Sequence, residues 1–196
     1  DVSMRKILIL ILMLFSPVFL FSKQTIFEKL AKNYKNAKTI VVEFRNEDDS
    51  MNGTLTADKA GRYIIKTNSR TICSDKKSVW NFSKDDNKVI ISDYEESGDI
   101  SIENVFFDFA ENYIQKSETK ESDYTVLYLT PKKKSGSAGD VKLLISPMDL
   151  QIKKIIFVSN YGEDSWRILK IKTNIKIPNN FFDFKEPKDV QVIDLR

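Results

Sequence analysis

Histidine is absent from this 196-residue chain. That removes the commonest general base near neutral pH, the commonest metal ligand, and the usual nucleophile–base arrangements that depend on an imidazole. Cysteine occurs once, at Cys73, so no disulfide can form within the chain and the fold must be held by its core. The bland reading of that residue is a buried, inert thiol. Glycine is also scarce, six in all, and no sequence of the form GxGxxG, GxxxxGK[ST], GxSxG or HExxH occurs. Nucleotide cradles and hydrolase elbows therefore lack their backbone and side-chain requirements. Nor is one sign of charge in excess: 31 basic against 28 acidic residues give +3. The two signs are interspersed, the pattern of a solvated surface and not of a phosphate-binding stripe, so no nucleic-acid partner is expected. Acidic pairs at Asp85-Asp86 and Glu95-Glu96 sit beside turns, and Glu47-Asp48-Asp49-Ser50 lacks the alternation and closing glutamate of a calcium loop. Catalysis, a metal and a cofactor are all without support, and the chain is not expected to be an enzyme.

What is present begins with Met4-Arg5-Lys6 and an apolar run from Ile7 to Phe21, broken only by Ser16 and Pro17. A run of about fifteen residues suits a signal peptide and falls short of the roughly twenty that span a bilayer. Residues 1–22 are expected to be a signal peptide that is removed, leaving 23–196 as one exported, periplasmic domain, although Leu20 departs from the small-x-small cleavage pattern. No cysteine near the junction offers a site for lipidation.

From Gln24, apolar residues recur at helical spacing: Ile26, Phe27, Leu30, Ala31 and Tyr34, with Thr25 and Glu28 in capping-box positions. Alternation at period two follows, first in Ile40, Val42 and Phe44, then in Leu55 and Ala57. Further strands are expected at 62–66, 70–74, 78–82 and 88–94, and again at 124–130, 141–146, 151–158 and 165–172. Their short connections make them antiparallel, about ten in all. Between the two sets, Ile102, Val105, Phe106, Phe109, Tyr113 and Ile114 fall on one helical stripe, with Ser101 placed to cap it. That aromatic stripe either packs on the sheet or lines a cavity; sequence does not separate the two. Lys132-Lys133-Lys134-Ser135-Gly136-Ser137 reads as a solvated loop.

The expected fold is mainly β: a sheet that curls without closing leaves a concave apolar face, and helices across that face form a lid over a hydrophobic cavity. The candidate cavity residues are Phe44, Leu55, Tyr63, Trp80, Phe82, Phe106, Phe109 and Tyr113.

Val41 to Phe44, Asn52 to Leu55, Ser74 to Phe82, Leu129-Thr130-Pro131 and Phe181 to Asp194 follow one another in an order that resembles the LolA family of periplasmic lipoprotein carriers. Val41-Val42-Glu43-Phe44 and Asn52-Gly53-Thr54-Leu55 resemble that family's opening hairpin. Ser74 to Phe82 is similar to its "DGkxxWxY" turn and strand, Leu129-Thr130-Pro131 to its "LxP", and Phe181-Phe182-Asp183-Phe184 with Pro187 to Asp194 to its "FxfxxPxGvdVid" ending. The resemblance implies an incomplete antiparallel barrel with a helical lid. It also implies a monomeric carrier that receives the acyl chains of lipoproteins from an inner-membrane ABC transporter and passes them to an outer-membrane acceptor. The family arginine linked to one-way release aligns with Lys59, which keeps the charge and loses the planar fork. Lys76 and Asp189 stand where the family has glycine, so the cargo of this branch can differ. Two other readings keep the fold: a periplasmic sensor or regulatory binding protein, and a carrier of a different lipid.

Overall fold

The structure is a computed structural model. It describes residues 24–47, 49–94, 106–107, 109–132, 139–159, 162–178 and 180–196. The expected signal peptide lies outside these, as do Ser101 to Val105, Glu95-Glu96 and Lys133 to Ser137.

Helix α1, Ile26–Lys35, opens on a reciprocal cap: the Thr25 hydroxyl accepts from the Glu28 amide at 3.1 Å, and the Glu28 carboxylate accepts from the Thr25 amide at 2.9 Å. Its apolar stripe buries Leu30 and Tyr34. Six strands follow: β1 (Thr39–Asn46), β2 (Asn52–Asp58), β3 (Tyr63–Thr67), β4 (Arg70–Ser74), β5 (Ser78–Ser83) and β6 (Lys88–Asp93). A four-residue helix α2 (Phe109–Asn112) leads into β7 (Tyr113–Glu121), β8 (Tyr124–Pro131), β9 (Asp140–Ile145), β10 (Ile152–Ser159) and β11 (Gly162–Thr173), and β12 (Gln191–Asp194) comes last.

All twelve strands form one sheet in the order β12-β6-β5-β4-β3-β2-β1-β11-β10-β9-β8-β7. β12 and β7 stand at opposite ends and do not pair, so the sheet is open. Irregularities at Glu43/Phe44, Ile152/Lys154 and Gln115/Ser117 interrupt the register, and such bulges raise the local twist that curls a sheet.

Two expectations need correction. The aromatic stripe does not continue as helix past Asn112, because Tyr113 and Ile114 begin β7 and pair with Pro131 and Thr130 of β8. Among the described residues the strands number twelve, the additions being β7 and β12. The ten expected strands pair antiparallel, and the added β12 runs parallel to β6, Gln191 to Asp194 opposite Lys88 to Ile91.

Alternation sorts the side chains onto two faces. On the concave face, Ile40, Val42 and Phe44 of β1 join Leu55 and Ala57 of β2, Leu127 and Leu129 of β8, Val141, Leu143 and Ile145 of β9, and Ile155 of β10, with Leu30 and Tyr34 laid over them by α1. On the convex face, Ile64 and Cys73 are buried with Phe182, and Ile177, Phe181 and Phe184 pack against them. The segment between β11 and β12 is thus a strap across the outside of the sheet.

One close approach depends on glycine. Phe44 and Gly53 are opposite each other on β1 and β2, and a Cβ at Gly53 would meet the Phe44 ring at 2.6 Å and the Lys66 carbonyl oxygen at 2.8 Å. Gly53→Ala is expected to destabilise the chain by about 1–3 kcal/mol, as overpacking does. Phe44→Leu should recover only part of that loss, since the Lys66 carbonyl is backbone; chemical denaturation of the single and double variants measures both.

Candidate functional site: the concave apolar face

The concave face gathers residues far apart in sequence. Phe44, Leu55, Tyr63, Phe106 and Tyr113 belong to one buried cluster. The Phe106 ring is fully buried and meets Tyr34 edge-on at 5.4 Å, which ties α1 to the segment before α2. Across the rim, Lys35 of α1 pairs with Glu111 of α2 at 2.7 Å, both side chains largely exposed. An exposed pair of this kind adds little stability and leaves the lid held chiefly by apolar contact.

The margin of this face was not legible as a set in the sequence. Ile65, Ile72, Tyr94, Phe107, Phe157, Trp166 and Ile171 are partly buried and pack against the same cluster. Trp166 meets Phe44 edge-on at 5.4 Å, and its indole N–H donates to Asp164 at 2.9 Å. Only the cross-strand register shows that Trp166 shares a face with Phe44; period two within each strand leaves the choice of face open.

Two candidate residues lie elsewhere. Trp80 is opposite Cys73, which is opposite Ile64, and this row faces outward. Trp80 accordingly stacks on Phe184 of the strap, with centroids 6.0 Å apart and planes 14° from parallel. Phe82, two residues on and opposite Thr71, shares that outward face. Phe109 opens α2, and its side chain is outside the described residues.

Lys59 is exposed in the turn between β2 and β3, where its amide donates to the Lys38 carbonyl at 2.9 Å. The anchored cation of that turn is Arg62. Its Nη2 and Nε donate to Asp58 Oδ2 at 2.7 and 2.9 Å, its amide to Oδ1 at 3.0 Å, and its guanidinium lies 4.9 Å from the Phe182 ring centre.

The electrostatics of the concave face are those of a dry, neutral surface. Burial pushes the Tyr34 phenol up to about 12, with the Asp149 charge adding and a hydrogen bond with the Ile152 backbone opposing. Burial likewise pushes Tyr113 up to about 12, with Asp140 adding. Among the described residues no group of three or more His, Cys, Asp or Glu side chains could hold a metal ion, and no helix is long and apolar enough to cross a membrane.

The fold has a solved counterpart. A conserved protein of Thermus thermophilus aligns with a TM-score of 0.56 at 16% identity, over 86% of this chain and 96% of that one. A LolA-superfamily protein of Nitrosomonas europaea aligns with a TM-score of 0.41 at 12% identity, over 80% and 95% of the two chains. Comparison with curated proteins gives no match. The family model described as "Outer membrane lipoprotein carrier protein LolA" matches residues 35–185, from the end of α1 into the strap, and the chain belongs to that family.

Proposed function

We propose that the chain is exported by residues 1–22, which are then removed, and works in the periplasm as a carrier. It takes the acyl chains of lipoproteins from an inner-membrane ABC transporter, shelters them against the concave face and delivers them to an outer-membrane acceptor. One observation supports this above the rest: an open sheet carries a continuous apolar face from Tyr63 to Tyr113, margined by half-buried rings and capped by the ten-residue helix α1.

Magnitudes say why such a face is useful. Moving hydrocarbon out of water is worth roughly 0.8 kcal/mol per methylene, so chains with several tens of methylenes do not cross an aqueous space unaided. A carrier must also let go, which favours an adaptable surface at the edge of a core over a tight pocket.

The two tryptophans report on the two faces, because Trp166 borders the concave cluster and Trp80 lies under the strap. Brominated acyl lipopeptides should quench the Trp80→Phe protein, where Trp166 alone emits, and leave the Trp166→Phe protein unchanged. Quenching of Trp80 alone, or of neither, would sink the reading. So would recovery of a single unlipidated protein as the bound species from periplasm, which would give the face to a sensor. Lys59→Glu should leave this uptake intact and change the rate of release into acceptor vesicles; an unchanged release rate removes Lys59 from the mechanism.

A further inference from the structure

The fold gathers at one end of the sheet lysines that the sequence keeps apart. The start of β1, the β2–β3 and β4–β5 turns and the ends of β6, β11 and β12 meet there, as the register sets Thr39 opposite Asp58, Tyr63 opposite Ser74, Ser78 opposite Asp93, Ile91 opposite Asp194 and Ile40 opposite Thr173. Lys38, Lys59, Lys76, Lys77 and Lys176 sit on these connections, and all five are exposed. Backbone ties hold the connections together. The Lys59 amide donates to the Lys38 carbonyl at 2.9 Å, and the Lys38 amide to Asn174 Oδ1 at 2.9 Å. The Thr39 hydroxyl donates to the carbonyl of Ile175, beside Lys176, at 2.8 Å. The Lys76 side chain runs along Gly61 of the β2–β3 turn, its Nζ 3.6 Å from where a Cβ of that residue would stand.

Little at this end neutralises them. Asp58 is paired with Arg62 at 2.7 Å and Asp194 with Arg196 at 2.6 Å, while Asp75 accepts from the amides of Lys77 and Ser78, each at 2.8 Å. Among the described residues none of the five lysines has an ion-pair partner. We infer that this end of the sheet docks on the surface of a bilayer that contains anionic phospholipid.

Two observations favour a bilayer over an acidic protein. The cations are lysines, point charges on flexible stems without the fork that matches a carboxylate, and such clusters are drawn to a plane of phosphates. The same end also carries the two most exposed large apolar side chains among the described residues: Met148, 94% exposed, in the β9–β10 turn, and Leu195, 66% exposed, just after β12. Lysines flanked by protruding apolar side chains suit a headgroup layer, where the stems reach phosphate and the apolar tips enter the acyl boundary.

Flotation of residues 23–196 with vesicles tests the inference. The chain should float with vesicles of three parts phosphatidylcholine to one part phosphatidylglycerol, not with phosphatidylcholine alone, and should be released as salt is raised. Lys76→Gln with Lys176→Gln should weaken binding about 25-fold, at about fivefold for each lysine near an anionic surface. Met148→Ser with Leu195→Ser should weaken it about tenfold. Lys185→Gln with Lys188→Gln, the same change of charge at exposed positions on the strap, should leave it unaltered. Absence of flotation with phosphatidylglycerol overturns the inference, as does an equal loss in the two lysine pairs, which would reduce the effect to net charge. Retention on immobilised polyglutamate without flotation gives this end to an acidic protein and overturns it too. Lys59 is unchanged in every variant and no lipopeptide is present, so failure here leaves the carrier reading standing.

Discussion

Replacing Phe106 with alanine is expected to lower the unfolding midpoint by roughly 10 °C, and a long-chain acyl ligand is expected to restore most of it. The loss follows from position. Phe106 is fully buried between α1 and the sheet, with its ring edge-on to Tyr34. Truncating such a ring costs about 3–5 kcal/mol, and each kcal/mol moves the midpoint of a chain this size by roughly 2–4 °C. The restoration follows from the proposed function, because the vacated volume lies on the face assigned to hydrocarbon. A ligand at about a hundred times its dissociation constant returns roughly 2.7 kcal/mol. Phe106→Asp should unfold as readily and gain nothing from the ligand, since a carboxylate there has no partner and hydrocarbon does not supply one. Thermal unfolding of both variants with and without an acyl lipopeptide separates the cases. Equal losses that ligand does not relieve would make Phe106 plain core and the concave face closed on itself.

The parts of the fold legible in the sequence were those where one face is buried. β1 and β9 alternate cleanly because one side meets the core, and α1 announced itself by its cap and stripe. The two strands that escaped are the two ends of the sheet. β7 reads Ile-Gln-Lys-Ser-Glu-Thr-Lys-Glu after Tyr113, with no buried residue in that stretch, and β12 has four residues, three of them exposed. An edge strand has little core to contact, so its sequence carries little period; its pairing is fixed by the neighbouring strand. The aromatic stripe misled for a related reason: Tyr113 is buried on the concave face from a strand, and its spacing from Phe106 and Phe109 fits a helix as well.

The site divided in the same way. Phe44, Leu55 and Tyr63 share one face because consecutive hairpins share register. Trp80 and Phe82 also sit on a consecutive hairpin but on its other face, and a one-residue difference in phase is invisible without the turn geometry. Nothing in the sequence pattern announced that the convex side of β3 to β5 would be covered. Aromatic content was therefore credited to one face when two faces use it. The same cover explains why Arg62, and not Lys59, is the anchored cation: Arg62 stacks on a strap residue whose position only the tertiary fold reveals.

That strap is open to direct test, because the only cysteine lies beneath it. Cys73 is 1% exposed, and its thiol donates to the Phe182 carbonyl at 2.8 Å. Phe182 is itself buried against Phe181 and beneath Arg62, while Phe184 stacks on Trp80. Burial pushes the Cys73 thiol up to about 11, and the charges of Asp75 and Asp183 push the same way. A thiol reagent needs both an open strap and a thiolate, so near pH 8 labelling measures strap opening. Phe182→Ala should raise that labelling rate about 100-fold, as removal of some 3 kcal/mol from the closed state requires. Because the closed state holds the thiol protonated, closure is at full strength below the ordinary thiol pKa. It weakens as pH climbs from about 9 toward 11, so labelling of the unmutated chain should steepen over that interval. Phe106→Ala, on the opposite face, supplies the contrast: it lowers the global midpoint, while the strap over Cys73 keeps its own contacts. If Phe182→Ala labels no faster than Phe106→Ala, Cys73 is reached through global unfolding and the strap has no independent opening.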